Sequence, residues 1–316
     1  MTNNIINRRK GISMIIKMLK EEALKHNDKI EIVSIERLKD LKTEIEEFKS
    51  HNELNGFQNW IVNDLYDFDL PSLDFIAKSI IIVALHHPFY ADVKLNYQNK
   101  VYNTKCLVRS DFHGSKRYIK DFVNLQGYNL KETKSIPLKR LAVQSGLAVY
   151  GKNNITYIDG MGSNLSYIAF YTDIPCFEDH WRPVCHFEFC DKCGNCVKHC
   201  PTGAIKKDSF LIDNEKCLSC INESAGDFPH WIPKNIHHTL YDCLRCQEHC
   251  PMNKSIINDK IGPITFTEEE TSMLLDGKGP DDFPEEFLAK ISNLGLFDWR
   301  DALPRNINAI IQANSN

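Results

Sequence analysis

The chain is 316 residues long, with 42% hydrophobic and 25% charged residues, 38 Lys and Arg against 42 Asp and Glu, and a net charge of −4. This composition excludes a largely disordered chain, carries no basic excess of the kind that nucleic-acid binding leaves, and has the length of two domains. The longest apolar run, Ile80 to Leu85, falls far short of the ~20 residues that span a bilayer. Met1 to Lys10 has no apolar segment behind its charges, so the expectation is a cytoplasmic protein without a secretory signal and without a membrane partner.

Apolar spacing predicts a helix over 11–26, with Ile12, Ile15, Ile16 and Leu19 on one face. A strand follows at Ile30–Val33. Ser34 is the expected cap of a second helix running to about Lys49, with Ile35, Leu38, Leu41, Ile45 and Phe48 on its inner face. Residues 79–86 read as a buried strand ended by Pro88. Helices are expected from about Ser115 to Leu125 and from Pro137 to Ser145, the second closed by Gly146. Asn154–Ile158 and Tyr167–Tyr171 read as strands flanking the Asp159-Gly160-Met161-Gly162-Ser163 turn. Residues 1–175 therefore form an α/β or α+β domain. Residues 176–260 are rich in Cys, Pro and His and need a metal to hold so small a core. From 261 to 316 the chain is helical: Thr267 to Glu270 is a capping box, Leu288, Ile291, Leu294 and Leu296 form an apolar face, and Pro280, Pro284 and Pro304 cut the tail into short pieces.

The twelve cysteines carry the chemistry, because nine of them lie between Cys190 and Cys250. Without an export signal, clustered thiols point to metal and not to disulfides. Cys190, Cys193, Cys196 and Cys200-Pro201 form the C-x2-C-x2-C-x3-C-P run of bacterial cluster ferredoxins. Three thiolates on one tight loop reach three irons of a cube, and the fourth points to another cube. Cys243, Cys246 and Cys250-Pro251 repeat the ending, and Cys217 supplies the missing thiolate across a long loop. Crossing the fourth ligands gives two [4Fe–4S] sets: Cys190, Cys193, Cys196 and Cys250, then Cys200, Cys217, Cys243 and Cys246. Cys220 lies at C-x2-C spacing from Cys217 and is an alternative ligand. Zinc also takes four thiolates but does not call for this spacing. Cys106, Cys176 and Cys185 read as buried small residues or free thiols. The pairs His86-His87 and His237-His238 read as packing residues and not as metal ligands.

The two cysteine groups, with Ser145 to Asn154 (Ser-Gly-Leu-Ala-Val-Tyr-Gly-Lys-Asn-Asn), Gly162-Ser163, Thr172-Asp173 and Arg109-Ser110-Asp111-Phe112-His113, resemble epoxyqueuosine reductases and, more distantly, reductive dehalogenases. The likeness covers roughly residues 80–255. It implies an α+β fold: a nitroreductase-like α/β first domain, a ferredoxin-like double-cluster domain and a short helical tail. It also implies a base-off cobalamin in the first domain, reduced through both clusters. Arg109, Asp111, His113, Thr133, Tyr150, Gly151, Lys152 and Asn153 are the implied corrinoid-binding positions. The family's proton-donating Asp-Thr pair falls on Glu132-Thr133, so a glutamate stands where the family has an aspartate.

The implied partners are an external one-electron donor of ferredoxin or flavodoxin type and a small-molecule or modified-nucleoside substrate. Longer members of the family carry a helical-repeat domain that helps hold tRNA. Here about 60 residues follow the clusters, so that domain is expected to be absent or rudimentary, and tRNA as substrate is put in doubt. Lys105, Arg109, Lys116, Arg117 and Lys120 are read as a solvated helix face with phosphate contact as the alternative. The rival to the enzyme is an electron carrier, or a reductive activator of a separate corrinoid protein.

Overall fold

The computed structural model describes residues 2–279, 281 and 283–314, with only the backbone of residues 2–6 and 8. Met1 and Pro280, both used above, lie outside the described residues. In chain order the elements are α1 (Thr2–Lys25), β1 (Lys29–Ser34), α2 (Arg37–His51), α3 (Gly56–Trp60), β2 (Ser79–His86), β3 (Tyr90–Tyr97), β4 (Lys100–Cys106), α4 (Phe112–Leu125), β5 (Leu130–Thr133), α5 (Leu138–Gln144), β6 (Val149–Tyr150), β7 (Thr156–Tyr157) and β8 (Leu165–Thr172). The cysteine-rich part contributes only short helices, α6 (Cys190–Cys193), α7 (Asn195–His199), α8 (Leu218–Glu223) and α9 (Arg245–Glu248). β9 (Lys260–Phe266), α10 (Glu268–Leu275), α11 (Glu285–Asn293) and α12 (Leu303–Ala313) follow. No described helix is long and apolar enough to cross a membrane.

The chain forms two compact units, one of Met1–His86, Ser110–Gly151 and Ile155–Glu188, the other of His87–Arg109, Lys152–Asn154 and Phe189–Asn316. These cut the sequence elsewhere than at 175 and 260. The reason is packing: residues distant in sequence share a core, which composition along the chain does not record.

The first unit is an antiparallel sheet in the order β1-β2-β8-β5. β2 is buried along nearly its whole length. Ile81, Val83 and Leu85 face Ile12 and Leu19 of α1 and Ile119 and Val123 of α4. On the alternate positions, Ile80, Ile82 and Ala84 are equally buried, and α5 packs against β2 and β8. Each Ile, Val or Leu side chain so withdrawn from water stabilises the fold by about 1.5–3 kcal/mol.

One local expectation needs correction. Ser34 does not cap α2. It still pairs with Ser79 as the end of β1, its hydroxyl accepts only from the Glu36 N–H at 3.3 Å, and the helix begins at Arg37. Strand pairing claims the residue first. The Leu130–Thr133 stretch, polar enough to pass for a loop, is the edge strand β5, with Glu132 opposite Phe170.

The second unit is a sheet in the order β4-β3-β9, with β3 and β4 antiparallel and β3 and β9 parallel. Gln98 and Asn99 turn the hairpin with φ of 51° and 60°, both in the left-handed region, as a two-residue hairpin requires. Val93, Leu95 and Tyr102 share one core with Leu274, Phe287, Ile291 and Ile307 of the tail helices. The tail is thus part of this unit, and Thr267 and Glu270 form the expected capping box of α10.

In the first unit Asp28 is 3% exposed. It accepts from the Ser115 hydroxyl at 2.7 Å, the Tyr118 hydroxyl at 2.9 Å and the His86 N–H at 3.3 Å. Asp28→Ala strands those donors and is expected to lower unfolding stability by about 2–3 kcal/mol, read from urea unfolding with the slope unchanged.

Candidate functional site

The cysteine geometry comes from short helices separated by sharp turns. Gly194 (φ 62°) breaks α6 from α7, so Cys190, Cys193 and Cys196 lie along one folded-back loop. Cys190 interacts electrostatically with Cys250 and Cys193, and Cys196 with Cys190 and Cys250. Those four thiols are one group, drawn from segments more than fifty residues apart. Burial first, then these neighbours, pushes the Cys196 thiol up to about 11. In the second group Cys217 and Cys243 interact, and Cys246 interacts with both. Burial raises Cys243 to about 12 and also pushes Cys246 well above its ordinary value. Cys200 lies 3.8 Å from the Thr202 hydroxyl. Among the described residues no three His, Cys, Asp or Glu side chains converge as for a single ion. A cube, which takes one thiolate at each iron corner, keeps its ligands farther apart than one ion does.

Cys217 stands immediately before α8 and Cys220 is the third residue of that helix. A hydrogen bond from the Cys220 thiol holds the Cys217 thiol down to about 7 and raises Cys220 in turn.

The Gly-Lys-Asn segment serves these thiols directly. The Lys152 N–H donates to Cys190, the Lys152 ammonium lies 3.8 Å from Asp191, and the buried Asn153 side chain hydrogen-bonds Cys246. The segment can do this because Asn154, at φ 59°, reverses the chain directly behind Asn153. Sequence reading gave Lys152 and Asn153 to a corrinoid; their contacts in this structure are to cysteines of both groups.

The other positions scatter in role. Arg109 is ion-paired with Asp298. Asp111 accepts from the Gly114 N–H at 2.8 Å and caps α4; it also lines a cavity of about 270 Å³ with His26, Asp28, His86, Ser115 and Arg117. His113 is exposed on α4. Tyr150 is 7% exposed, its N–H donates to the Cys185 carbonyl, and burial raises its phenol. The Gly151 N–H donates to Ile155. Glu132 is held by Lys116 at 2.7 Å and Lys134 at 3.8 Å, and Thr133 donates to the Tyr171 hydroxyl at 3.4 Å. Lys105, read as part of a free basic face, is ion-paired with Glu248. Cys106 is buried, as expected, while Cys176 and Cys185 are half-exposed.

One residue went unnoticed in the sequence. Asn164 is 1% exposed, and among the described residues neither its Oδ1 nor its Nδ2 meets a partner. A buried amide left this way costs about 1–3 kcal/mol and points to a ligand. Its only sequence signal is its place directly after Gly162-Ser163.

Residues 189–253 match the 4Fe-4S double cluster binding domain, which defines this part of the chain as a double-cluster iron–sulfur module. The chain as a whole is similar to epoxyqueuosine reductases. It is 26% identical to that of Lactococcus garvieae (strain Lg2) over 92% of this chain and 86% of the relative, and 26% identical to that of Bacillus subtilis (strain 168) over 76% and 65%. A crystal structure of selenomethionine-labelled epoxyqueuosine reductase superimposes with a TM-score of 0.64 at 19% identity, covering 96% of this chain and 82% of that one. Another, solved with an epoxyqueuosine-modified tRNA-Tyr stem loop, gives 0.63 at 19% identity, with the same coverage. The mixed α+β fold with its double-cluster module and helical tail is therefore a shared one.

Beside the second thiol group, His237 packs on Phe228 with ring centroids 4.2 Å apart. Burial, with Arg305 and His238 adding, lowers its pKa to about 4. Because the folded chain takes up this proton only near pH 4 and the unfolded chain near 6.5, stability is complete above 6.5 and is lost as pH falls from 6.5 to 4. His237→Gln is expected to flatten that part of the stability profile, measured by urea midpoints at pH 7 and pH 5.

Proposed function

We propose that the chain is an iron–sulfur reductase in which two [4Fe–4S] clusters pass single electrons to a cobalamin, and that the oxygen removed comes from an epoxide on a modified nucleoside of tRNA. Sequence likeness to epoxyqueuosine reductases over 92% of the chain carries this reading. A free-standing electron carrier needs only the double-cluster segment; here the likeness runs through both units. The relative solved with a modified tRNA stem loop supports tRNA as the source of the substrate, against the doubt raised from sequence.

Cys190, Cys193, Cys196 and Cys250 would hold one cluster, and Cys217, Cys243 and Cys246, with Cys200, the other. The thiols fit an iron group: several are half-buried and raised, so they ionise at neutral pH only against bound cations. In the first unit the unpartnered amide of Asn164 fits the amide-bearing rim of a corrin. Cobalamin, when bound, supplies a strongly reducing cobalt centre for cleaving a carbon–oxygen bond. Around it the protein positions and protonates. The Lys152 N–H and the Asn153 side chain donate to the sulfurs of Cys190 and Cys246 and would favour the more negative, reduced state of clusters held there. Glu132 is the proposed proton donor; Lys116 pairs with it, so it donates once a proton has been taken up and the pair has opened.

The reading is tested by anaerobic reconstitution with iron, sulfide and cobalamin, followed by removal of unbound material and incubation with an epoxyqueuosine-bearing tRNA stem loop. About eight irons per chain, retained cobalamin and loss of the epoxide are expected. Iron without retained cobalamin or turnover would overturn the enzyme reading in favour of the electron carrier. Glu132→Gln is expected to keep clusters and cobalamin while turnover falls by about 10²-fold or more. Asn153→Ala is expected to shift the potential of the Cys246-bound cluster negative in an EPR-monitored redox titration, because a donor to its sulfur is lost.

A further inference from the structure

The cysteine-rich segment holds nine cysteines, and eight complete two clusters; Cys220 is the one left over. It is not placed at random. It sits one helical turn after Cys217, and side chains three apart on a helix are neighbours. Cys217 is the cap position of α8 and Cys220 its third residue, so both side chains lie at the same end of one turn. Both are half-exposed, whereas Cys243, on another segment, is buried.

The turn that carries the pair is fixed by contacts that need no iron. Leu218 and Ile221 are buried in a core with Ile232. Asn222 donates to the Asp242 carbonyl at 2.7 Å, and Arg305 to the Ile221 carbonyl at 2.7 Å. The two sulfurs therefore stay together whether or not a cluster is present, in the spacing that dithiol redox sites use.

We infer that Cys217 and Cys220 form a reversible disulfide in the cluster-free chain, a peroxide-sensitive latch that withholds Cys217 from the second cluster. The Cys217 sulfur attacks a hydroperoxide, the O–O bond breaks, and a sulfenic acid forms as water or alcohol departs. The Cys220 sulfur then attacks that sulfenic sulfur, the S–S bond forms, and water leaves. Two thiols give up two electrons and the peroxide accepts them. A dithiol reductant reverses the reaction by exchange and returns Cys217 to iron. The inference rests on the preceding reading only in taking Cys217 as a cluster ligand; it does not involve cobalamin.

The test uses the full chain, stripped of iron under anaerobic conditions and treated with one equivalent of hydrogen peroxide. Remaining thiols are alkylated and peptides are mapped by mass spectrometry. The expected result is loss of two alkylatable thiols, with Cys217 joined to Cys220 and both restored by dithiothreitol. In a second measurement, peroxide-treated wild type takes up about half the iron of the untreated chain until dithiothreitol is added. Cys220→Ser and Cys220→Ala, both made in case one fails to fold, take up no less after peroxide than before. Both thiols remaining alkylatable, or Cys217 pairing with Cys243 or Cys246 ahead of Cys220, would overturn the latch. Because no cobalamin is present, failure here and failure of the proposed reductase activity are seen separately.

Discussion

Thiols crowded into a small volume resist ionisation, and that resistance shapes the second unit. Each cysteine that burial and neighbouring sulfurs push above its ordinary range, Cys196 and Cys243 among them, becomes a good ligand only when cations offset the charge. The short helices α6 to α9 offer little apolar surface of their own. Leu218, Ile221, Ile232 and Cys243 make a core of four buried residues. Iron adds the cross-links between segments that so small a core does not supply.

The larger core of the same unit solves a different problem. β9 pairs in parallel with β3, and the tail helices close over that sheet. Chain that runs past the cysteines thus returns to a hairpin that ends more than eighty residues before them. This anchors the C-terminal end of the cysteine-rich segment on a sheet. Sites assembled from turns gain their precision from such supports. The three residues Lys152 to Asn154 belong to this unit although their sequence neighbours do not. They bring a backbone N–H and a buried amide to sulfurs of both groups. A cluster's potential responds to just such contacts, here one from the backbone and one from a side chain.

The first unit spends its polar groups differently. Asp28 is satisfied by three donors and locks α4 against the end of α1. Asp179 accepts from Arg37 and from the Ser34 N–H, and so ties residues 176–188 to this unit and not to the cysteines that follow. Among the described residues, the buried amide of Asn164 differs in having neither its oxygen nor its nitrogen paired.

Much of this was legible in the residues alone. The run of β-branched residues at Ile80 to Val83 made a buried strand, because such a run leaves no face for water. The spacing of Cys190, Cys193, Cys196 and Cys200 named an iron–sulfur module, because a cube dictates loop length through its own geometry. Local rules failed where partners are distant. β3 and β4 escaped notice because a Gln98-Asn99 turn is a weak signal; β5 because an edge strand can be polar; the Ser34 cap because strand pairing outbid it. Only the folded chain decided that Lys152 and Asn153 meet cysteines, that Cys220 faces Cys217, and that the tail completes the unit bearing the clusters. Ligand chemistry is written in residue types at fixed spacing, but which side chain touches a ligand sulfur depends on packing between segments that the order of residues does not place side by side.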